Sequence, residues 1–295
     1  MLRSMYAGIS GMKNFQTKLD VIGNNIANVN TTGFKKGRVT FQEMMSQTMT
    51  GAQGPVVNNN TQVLGGINAS QVGLGSQLGT IDNIQTQGFR QTTNNPLDFA
   101  IEGDGMFVLA RDLVQTVVDF EDMNISYSRA GNFYLDEDGN VVNPQGLYLI
   151  GYAVNEGTGT PPVDTVDYGL VTPINIPDTA QSFSVQTNGT VNYIDENGNN
   201  RIAGQVALAN FSNPAGLLKD GGNLYLDSEN AGFTGLVVPE QEGAASIISG
   251  SLEMSNVDLA EEFTEMITAQ RGFQANTRII TTSDEILQEL VNLKR

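Results

Sequence analysis

The N-terminal segment carries a narrow stripe of apolar residues that repeats every seven positions. Two rows run side by side, offset by three positions, as the a and d positions of a coiled coil do. The members of this stripe are Met5, Met12, Phe15, Leu19, Ile22, Ile26 and Val29. The pattern predicts a long helix covered by another helix, because a helix on a globular core has a broader apolar face. An amphipathic helix packed on the chain's own core is the alternative interpretation.

The C-terminal segment has a stripe of the same period. A helix start signal precedes it at Ser255 and Asn256, and acidic residues follow in the first turn. The members of this second stripe are Leu259, Phe263, Met266, Phe273, Ile280 and Leu287. We interpret both stripes as assembly interfaces, through which copies of the chain stand side by side.

Between these segments, short runs of alternating apolar and polar residues follow one another. Turn pairs such as Asp138-Gly139 and Asn188-Gly189 separate the runs, and such pairs are typical of β-hairpins. This region therefore predicts an all-β outer domain over residues 81–240.

The predicted fold class is mixed α and β: long N- and C-terminal coiled-coil-like helices plus a central all-β domain. The terminal helical domain comprises residues 1–34 and 255–295. Residues 35–80, which are rich in glycine and asparagine, and residues 241–254 are predicted connectors. Within the first connector, residues 41–49 are compatible with a short helix.

The residue types that the chain lacks exclude much chemistry. With no His and no Cys, it has no imidazole base, thiol nucleophile or thiolate zinc site. The carboxylate pairs Asp136/Asp138 and Glu261/Glu262 could serve a glycosidase, but we interpret them as a turn and a helix first turn. We therefore predict no enzyme activity, no cofactor and no metal.

Two acidic turns are similar to each other. Residues 134–140, YLDEDGN, recur as YIDENGN at 193–199. The pattern suggests a calcium loop, but neither copy has the glutamate that an EF-hand places six residues after the glycine. We interpret both as hairpin tips, and a secreted calcium- or glycan-binding β domain with coiled-coil ends is the alternative.

Charge and hydropathy limit the partners. The formal net charge of −17 argues against nucleic acid, because phosphate binding needs clustered Lys and Arg. The basic residues Lys35, Lys36 and Arg38 are interpreted as a solvated loop. The start of the chain does not resemble a secretory signal, and no apolar run approaches the roughly 20 residues of a membrane span. These rules predict a soluble protein, cytoplasmic unless a non-Sec route exports it.

Several stretches of the chain resemble the axial proteins of the bacterial flagellar rod and hook. They are residues 23–35, 97–107, 128–133, 253–273 and 279–293. The residues that carry the terminal motifs are Asn24, Asn25, Asn28, Thr32, Gly33, Phe34, Ser255, Asn256, Gln270 and Arg271.

Within this family, residues 2–11 and 279–290 resemble a hook protein in a short form. Many hook proteins carry a second outer β domain, which is reduced or absent here. The distal rod protein, which is also short, is therefore the alternative.

The resemblance implies a structural subunit of the flagellar hook. Such subunits polymerise into a hollow, flexible helical tube, a universal joint that transmits motor torque to the filament, and both terminal helices line its inside. The alternative implies a distal rod protein of the basal body, which forms a straight drive shaft.

The resemblance also implies partners and a location. The partners are further copies of the chain, the rod proteins, the hook cap, the hook–filament junction proteins and the type III export apparatus. No nucleic acid and no membrane insertion are expected. The implied location is the hook and basal body of the bacterial flagellum, outside the cell after non-Sec export.

Overall fold

A computed structural model describes residues 2–58, 61–111, 124–155, 157, 164–241 and 245–293. The chain divides into two compact units. The helical unit comprises Met1–Ala27, Gly37–Asn83 and Asp258–Arg295, and the β unit comprises Asn28–Lys36 and Ile84–Val257. No helix among the described residues is long and apolar enough to cross a membrane.

The helical unit is built on two helices that pack on each other. They are α1 (Leu2–Ala27) and α2 (Leu259–Leu293). Phe15 lies against Gly272, and Lys18 Nζ pairs with Glu265 Oε2 at 3.1 Å, so the helices run antiparallel. A Cβ at position 272 would lie 2.6 Å from the Phe15 ring. Glycine at this position therefore lets the two helices approach closely.

Helix α2 begins at an acidic N-cap. The Asp258 Oδ1 atom accepts a hydrogen bond from the Ala260 N–H at 2.8 Å. This bond satisfies one of the backbone donors that a helix start leaves without a partner. The acidic residues that follow the start signal thus lie in the first turn of the helix.

The helical unit also contains six strands. They are β1 (Gly37–Glu43), β2 (Ser46–Thr50), β3 (Val56–Asn58), β4 (Thr61–Leu64), β5 (Ser70–Gly73) and β6 (Ser76–Asn83). Strands β1 and β6 pair antiparallel, with Val39 opposite Ile81 and Phe41 opposite Leu78. The Phe41 ring packs edge-on against Phe15, with 6.1 Å between the ring centroids. The strand pair therefore packs against α1.

The chain between β1 and β6 contains two further strand pairs, and we define residues 44–58 and 61–74 as the arm. Strand β2 pairs with β5, and β3 pairs with β4. The side chains described at 44–55 and 65–74 are all exposed. They include Met45, which is 84% exposed, and Met49, which is 67% exposed. The described side chains of the arm thus include exposed apolar surface.

The β unit contains the remaining strands. They are β7 (Arg90–Thr92), β8 (Phe99–Glu102), β9 (Met106–Ala110), β10 (Ile125–Ser128), β11 (Tyr134–Leu135), β12 (Val141–Val142), β13 (Tyr148–Asn155), β14 (Thr165–Pro173), β15 (Ser182–Val185), β16 (Thr190–Ile194), β17 (Asn200–Val206), β18 (Leu208–Phe211), β19 (Leu218–Gly221), β20 (Leu224–Leu226), β21 (Phe233–Val237), β22 (Ser246–Ser249) and β23 (Ser251–Glu253). A 3-10 turn lies at Pro214–Gly216.

Most of these strands join one antiparallel sheet of 13 strands. Its main path runs in the order β15, β16, β17, β13, β9, β10, β20 and β19. Two further pairs, β8 with β22 and β7 with β23, lie outside this sheet. Through them, the C-terminal end of the unit pairs with its beginning.

The core of the β unit lies on both faces of β9, whose five residues are all buried. Because side chains alternate along a strand, Phe107 and Leu109 enter one apolar cluster, and Met106, Val108 and Ala110 enter another. Burial on both faces explains why β9 is a continuous apolar run rather than an alternating one.

The two acidic turns are hairpin tips. The Asp136 N–H donates to Asn140 O at 2.9 Å, and the Asp195 N–H donates to Asn199 O at 3.0 Å. The glycines of the two turns have φ angles of 80° and 78°, a backbone conformation that favours glycine. The hairpin interpretation is confirmed. No group of three or more acidic residues among those described is arranged to hold a metal ion.

The predicted fold class, coiled-coil-like terminal helices plus a central all-β domain, is wrong. The helices at the two ends are present, but strands are not confined to the centre, because β1 to β6 belong to the same compact unit as α1 and α2. Residues 41–49, compatible with a short helix, lie largely in β1 and β2. The reason is long-range pairing, since β1 finds its partner β6 some 40 residues later.

The predicted domain boundaries describe the organisation of the chain in an assembly, and they stay a prediction. The compact units assign residues 37–83 to the unit that contains the helices. Residues 59–60 and 242–244, within the two predicted connectors, lie outside the described residues.

Candidate functional site

The two terminal motifs meet inside the β unit. The Gly33 N–H donates to Glu253 O at 2.9 Å, and the Lys36 N–H donates to Asn256 Oδ1 at 2.8 Å. The Asn256 side-chain nitrogen in turn donates to Ile84 O at 2.8 Å. Residues 28–36 and 251–257, which we call the junction, are thus held side by side by their own backbone and amide groups.

A glycine is required where the first motif turns. Gly33 has a φ of 68°, in the left-handed region that L side chains rarely adopt. A Cβ at this position would lie 2.5 Å from Ala130 N and 2.7 Å from Arg129 C. Both the conformation and the space at the junction therefore demand glycine.

Three charged side chains form the centre of the junction. Lys35 Nζ pairs with Glu253 Oε1 at 2.6 Å, and Arg129 Nη1 pairs with Glu253 Oε2 at 3.1 Å. Their side chains are 0%, 2% and 4% exposed for Lys35, Glu253 and Arg129, respectively. We call them the ion triad. It brings together residues that lie far apart in the chain.

Further hydrogen bonds support the ion triad. Lys35 Nζ donates to Thr86 O at 2.8 Å, and Arg129 Nη2 donates to Gly103 O at 2.6 Å. The Gly88 N–H donates to Glu253 Oε1 at 2.9 Å. A buried ion pair is tolerated only with such additional bonds, because removing charges from water is costly. The triad therefore links five separate segments of the β unit.

Burial and neighbouring charges shift the pKa values of Glu253 and Lys35. Burial raises the pKa of the Glu253 carboxyl, but Arg129, Lys35 and the Gly88 N–H outweigh burial and hold this pKa below its usual value. Burial and then the Arg129 charge lower the pKa of Lys35, although Glu253 opposes them. The carboxylate is thus ionised at neutral pH, between two cations.

A second polar cluster lies in the helical unit. Asn25 Nδ2 donates to Gly37 O at 2.9 Å, and the Gly37 N–H donates to Asn25 Oδ1 at 3.0 Å. The same Nδ2 donates to Glu262 Oε2 at 3.1 Å. Asn25 is buried at 2% exposure. This one amide therefore joins the end of α1 to the start of β1 and to α2.

Replacing Asn25 with Ala is expected to lower the free energy of unfolding by roughly 1–3 kcal/mol, because it leaves buried hydrogen-bonding groups without a partner. Urea unfolding followed by circular dichroism measures this change. The control is Gln16→Ala, at an exposed position of the same helix, where we expect a change within about 0.5 kcal/mol. Equal stabilities of the two variants would contradict the assigned role of Asn25.

The predicted stripe residues lie mostly at the contact of α1 with α2. Of the first stripe, Ile22 is buried, the others are half-buried, and Val29 lies beyond the end of α1. Of the second, Leu259 and Phe263 are 40% and 49% exposed, and the remainder are half-buried. Their predicted role between copies of the chain stays a prediction.

The other motif residues have local roles. Asn28 Oδ1 accepts a hydrogen bond from the Thr31 hydroxyl at 3.1 Å, Thr32 O accepts one from Asn223 Nδ2 at 2.9 Å, and Ser255 Oγ accepts one from the Val257 N–H at 3.3 Å. The Phe34 ring lies 5.3 Å from Lys219 Nζ. The side chains of Asn24, Gln270 and Arg271 are exposed.

Sequence reasoning missed the ion triad. Lys35 does not lie in a solvated loop, because its side chain has no exposed surface. The residues Arg129 and Glu253 fall within stretches that carry the family resemblance, but no local pattern pairs them. The available signal was the single charged residue in each of the stretches 23–35 and 128–133.

The carboxylates and cations considered so far have structural partners. The ion triad is buried and fully ion-paired, Asp136 and Asp138 belong to a hairpin tip, and Glu262 is bonded to Asn25. The ion triad and the polar cluster of Asn25 hold together segments that lie far apart in the chain. This is a structural function.

Comparison with known proteins assigns the class. Residues 5–35 match a family model described as flagella basal body rod protein. Residues 100–193 match the flagellar hook protein FlgE/F/G D1 domain, and residues 248–293 match the flagellar basal body rod FlgEFG protein C-terminal. These models cover both terminal motifs and much of the β unit. They define a structural protein of the flagellar axis.

Individual relatives are similar over the whole chain. Flagellar basal-body rod protein FlgG of Bacillus subtilis (strain 168) is 51% identical over 296 residues, which cover 100% of both chains. FlgG of Borreliella burgdorferi is 34% identical over 298 residues, again with full coverage of both. Flagellar hook protein FlgE of the same organism is 29% identical over 456 residues, with full coverage of both. The chain belongs to the flagellar basal-body rod and hook family, whose members are structural components of the flagellum.

Proposed function

We propose that the chain is a distal rod protein of the flagellar basal body, whose copies polymerise into a straight, hollow drive shaft. The comparisons favour this alternative over the hook function that the terminal motifs suggest. The observation that carries the proposal is the match in length with rod proteins.

Rod relatives align with the chain from end to end without a long insertion. FlgG proteins align over 294, 296 and 298 positions, against 295 residues in this chain. FlgE proteins align over 456 and 469 positions at full coverage of both chains. Each FlgE chain therefore contains long stretches with no counterpart here, which supports a rod subunit.

The apolar arm supports a stiff polymer. A two-stranded ribbon is marginally stable alone in water, and the arm exposes Met45, Met49 and Ile67. Exposed apolar surface of this kind marks contact with another protein. Apolar contacts that interlock neighbouring copies resist sliding, whereas a tube that bends needs contacts that slide. The exposed apolar side chains of the arm therefore support a straight shaft rather than a universal joint.

The helices provide further apolar surface for assembly. The large apolar side chains exposed on them are Tyr6, Ile9, Leu259, Phe263, Ile267, Ile279, Ile286, Leu290, Val291 and Leu293. Of the stripe members, Leu259 and Phe263 are exposed and most others are half-buried, so helices from other copies would remove further stripe surface from water. We therefore propose the two stripes as contacts between copies in the inner wall of the tube.

The proposed partners follow from a position in the rod. They are further copies of the chain, the neighbouring rod proteins, the first subunits of the hook and the type III export apparatus. The hook cap and the hook–filament junction proteins belong to the hook alternative. Export through a narrow channel is compatible with a chain that has no disulfide to form.

Electron microscopy of flagellar structures from a strain that lacks the gene tests the proposal. We expect incomplete rods and no hooks, because the hook is built on a finished rod. Complementation with the intact gene is the control. Complete rods without hooks would overturn the proposal in favour of the hook protein.

The arm offers a separate test. Met49→Asp is expected to reduce polymerisation of the purified chain at least tenfold while leaving its folding unchanged, because the side chain is exposed in the single chain. Sedimentation and electron microscopy measure polymer, and circular dichroism measures folding. The control is Gln47→Asp, which adds the same charge at an exposed position of the same strand. An equal loss in both variants would attribute the effect to charge and contradict an apolar contact.

A further inference from the structure

A small cavity lies beside the ion triad, on the surface of the β unit. Its volume is about 180 Å³. This is below the roughly 300–1,000 Å³ of pockets that hold drug-sized molecules, so the cavity fits a side chain rather than a metabolite. Its polar lining residues are Gln85, Asp104, Arg129, Asn210 and Ser212.

One buried donor at this cavity, Arg129 Nε, has no hydrogen-bond partner among the described residues. The Gln85 side chain, which also lines the cavity, bonds to the Tyr225 hydroxyl. Arg129 is 96% buried, and its two terminal nitrogens are already bonded to Glu253 and Gly103. Buried donors in native proteins are nearly always satisfied, so the cavity is built to receive an acceptor.

The same cavity presents acceptors beside this donor. The Asp104 carboxylate lines it, together with Asn210 and Ser212. A second carboxylate placed here would be repelled by Asp104, in a chain whose formal net charge is already −17. A group that both accepts and donates fits better. A primary amide has a carbonyl oxygen for Arg129 Nε and an NH₂ group for Asp104.

We propose that this cavity binds the side-chain amide of an Asn or Gln residue from a second copy of the chain. The proposal rests on the self-assembly proposed above, which brings copies into contact. The amide completes the hydrogen bonds of the triad's arginine. The junction is therefore stabilised further when a second copy of the chain is bound.

Filling the cavity tests the proposal. Ser212 is exposed at the rim. In Ser212→Trp, the indole occupies the space of the amide, and we expect the concentration needed for polymerisation to rise at least tenfold. The melting temperature of the unassembled chain is expected to stay unchanged. The matched control is Ser182→Trp, at an exposed position of β15, which should polymerise like the parent.

The outcomes separate the two proposals. A parent chain that never polymerises overturns the proposed self-assembly. A parent and a Ser212→Trp variant that polymerise equally overturn the amide contact and leave ordered water as the occupant.

A second measurement identifies the ligand even if Ser212→Trp does not fold. The Nε resonance of Arg129 is followed by ¹⁵N NMR in the unassembled chain during titration with acetamide and, separately, with acetate. We expect a saturable shift with acetamide and none with acetate. A shift with acetate alone, or with neither up to the highest concentration at which the chain stays folded, would overturn the proposal.

Discussion

Replacing Glu253 with Gln is expected to lower the free energy of unfolding at pH 7 by about 3–5 kcal/mol, the usual cost of removing one partner from a buried ion pair. The glutamine has nearly the same shape, so the loss reports charge rather than packing. It leaves Lys35 and Arg129 buried without the anion between them. Chemical denaturation of the β unit, followed by tyrosine fluorescence, measures the change.

The matched control is Glu229→Gln, which makes the same substitution at an exposed position of the β unit. We expect a change within about 0.5 kcal/mol there. Equal stabilities of the two variants would show that the ion triad does not hold the junction.

The stability difference between the parent and Glu253→Gln also depends on pH. The folded pKa of Glu253 lies below its usual value of 4.5, so the contribution of the carboxylate is present above that value and is lost as pH falls through the folded pKa. The difference should therefore be large near neutral pH and shrink below about pH 4.5. A difference that grows on acidification would contradict this sign.

The second large effect is expected at Gly33. Replacing it with Ala places a Cβ against the backbone of Ala130 and Arg129 and forces a side chain into a φ of 68°. The backbone conformation alone costs about 1–3 kcal/mol, and the steric clash adds to it. At roughly 2–4 °C for each kcal/mol in a unit of this size, the melting temperature should fall by at least several degrees.

Gly23→Ala is the control for this substitution. Gly23 lies in α1, and a Cβ there meets nothing within 4 Å. Alanine is expected to raise stability by about 0.5–1 kcal/mol, because glycine weakens a helix interior. If both substitutions changed stability in the same direction, the special geometry of Gly33 would be refuted. Thermal unfolding by circular dichroism distinguishes these results.

Local sequence patterns were sufficient to predict the two helices and the tight turns. The seven-residue apolar stripes predict α1 and α2 because side-chain direction in a helix follows from residue spacing alone. The start of α2 was predicted at Ser255 and Asn256, but the cap is Asp258, two residues after Asn256. The turn glycines of the two acidic hairpins likewise follow from their own residue types.

Strand pairing in the helical unit could not be predicted in the same way. Strand β1 pairs with β6 across the arm, and neither strand has a strong alternating pattern. Val39 and Phe41 reveal their partners only when Ile81 and Leu78 lie opposite them. The predicted fold class failed at this point, because sheet formation depends on residues distant in sequence.

The functional inference likewise combines local motifs with features outside them. The terminal motifs indicate the flagellar axial family, but they resemble hook and rod proteins alike. Chain length against the relatives favours the rod, and the arm, which the sequence presents only as a glycine-rich segment, supports it with exposed Met45 and Met49.

The sequence by itself determined the terminal helices, the hairpin tips and the family, because each depends on neighbouring residues or on a contiguous motif. Only the tertiary structure decided that Lys35 is buried beside Glu253 and Arg129, residues 218 and 94 positions away in the chain. A lysine is exposed unless an anion and hydrogen-bond acceptors lie next to it. Those partners come together only when the β unit folds, so no local pattern contains them.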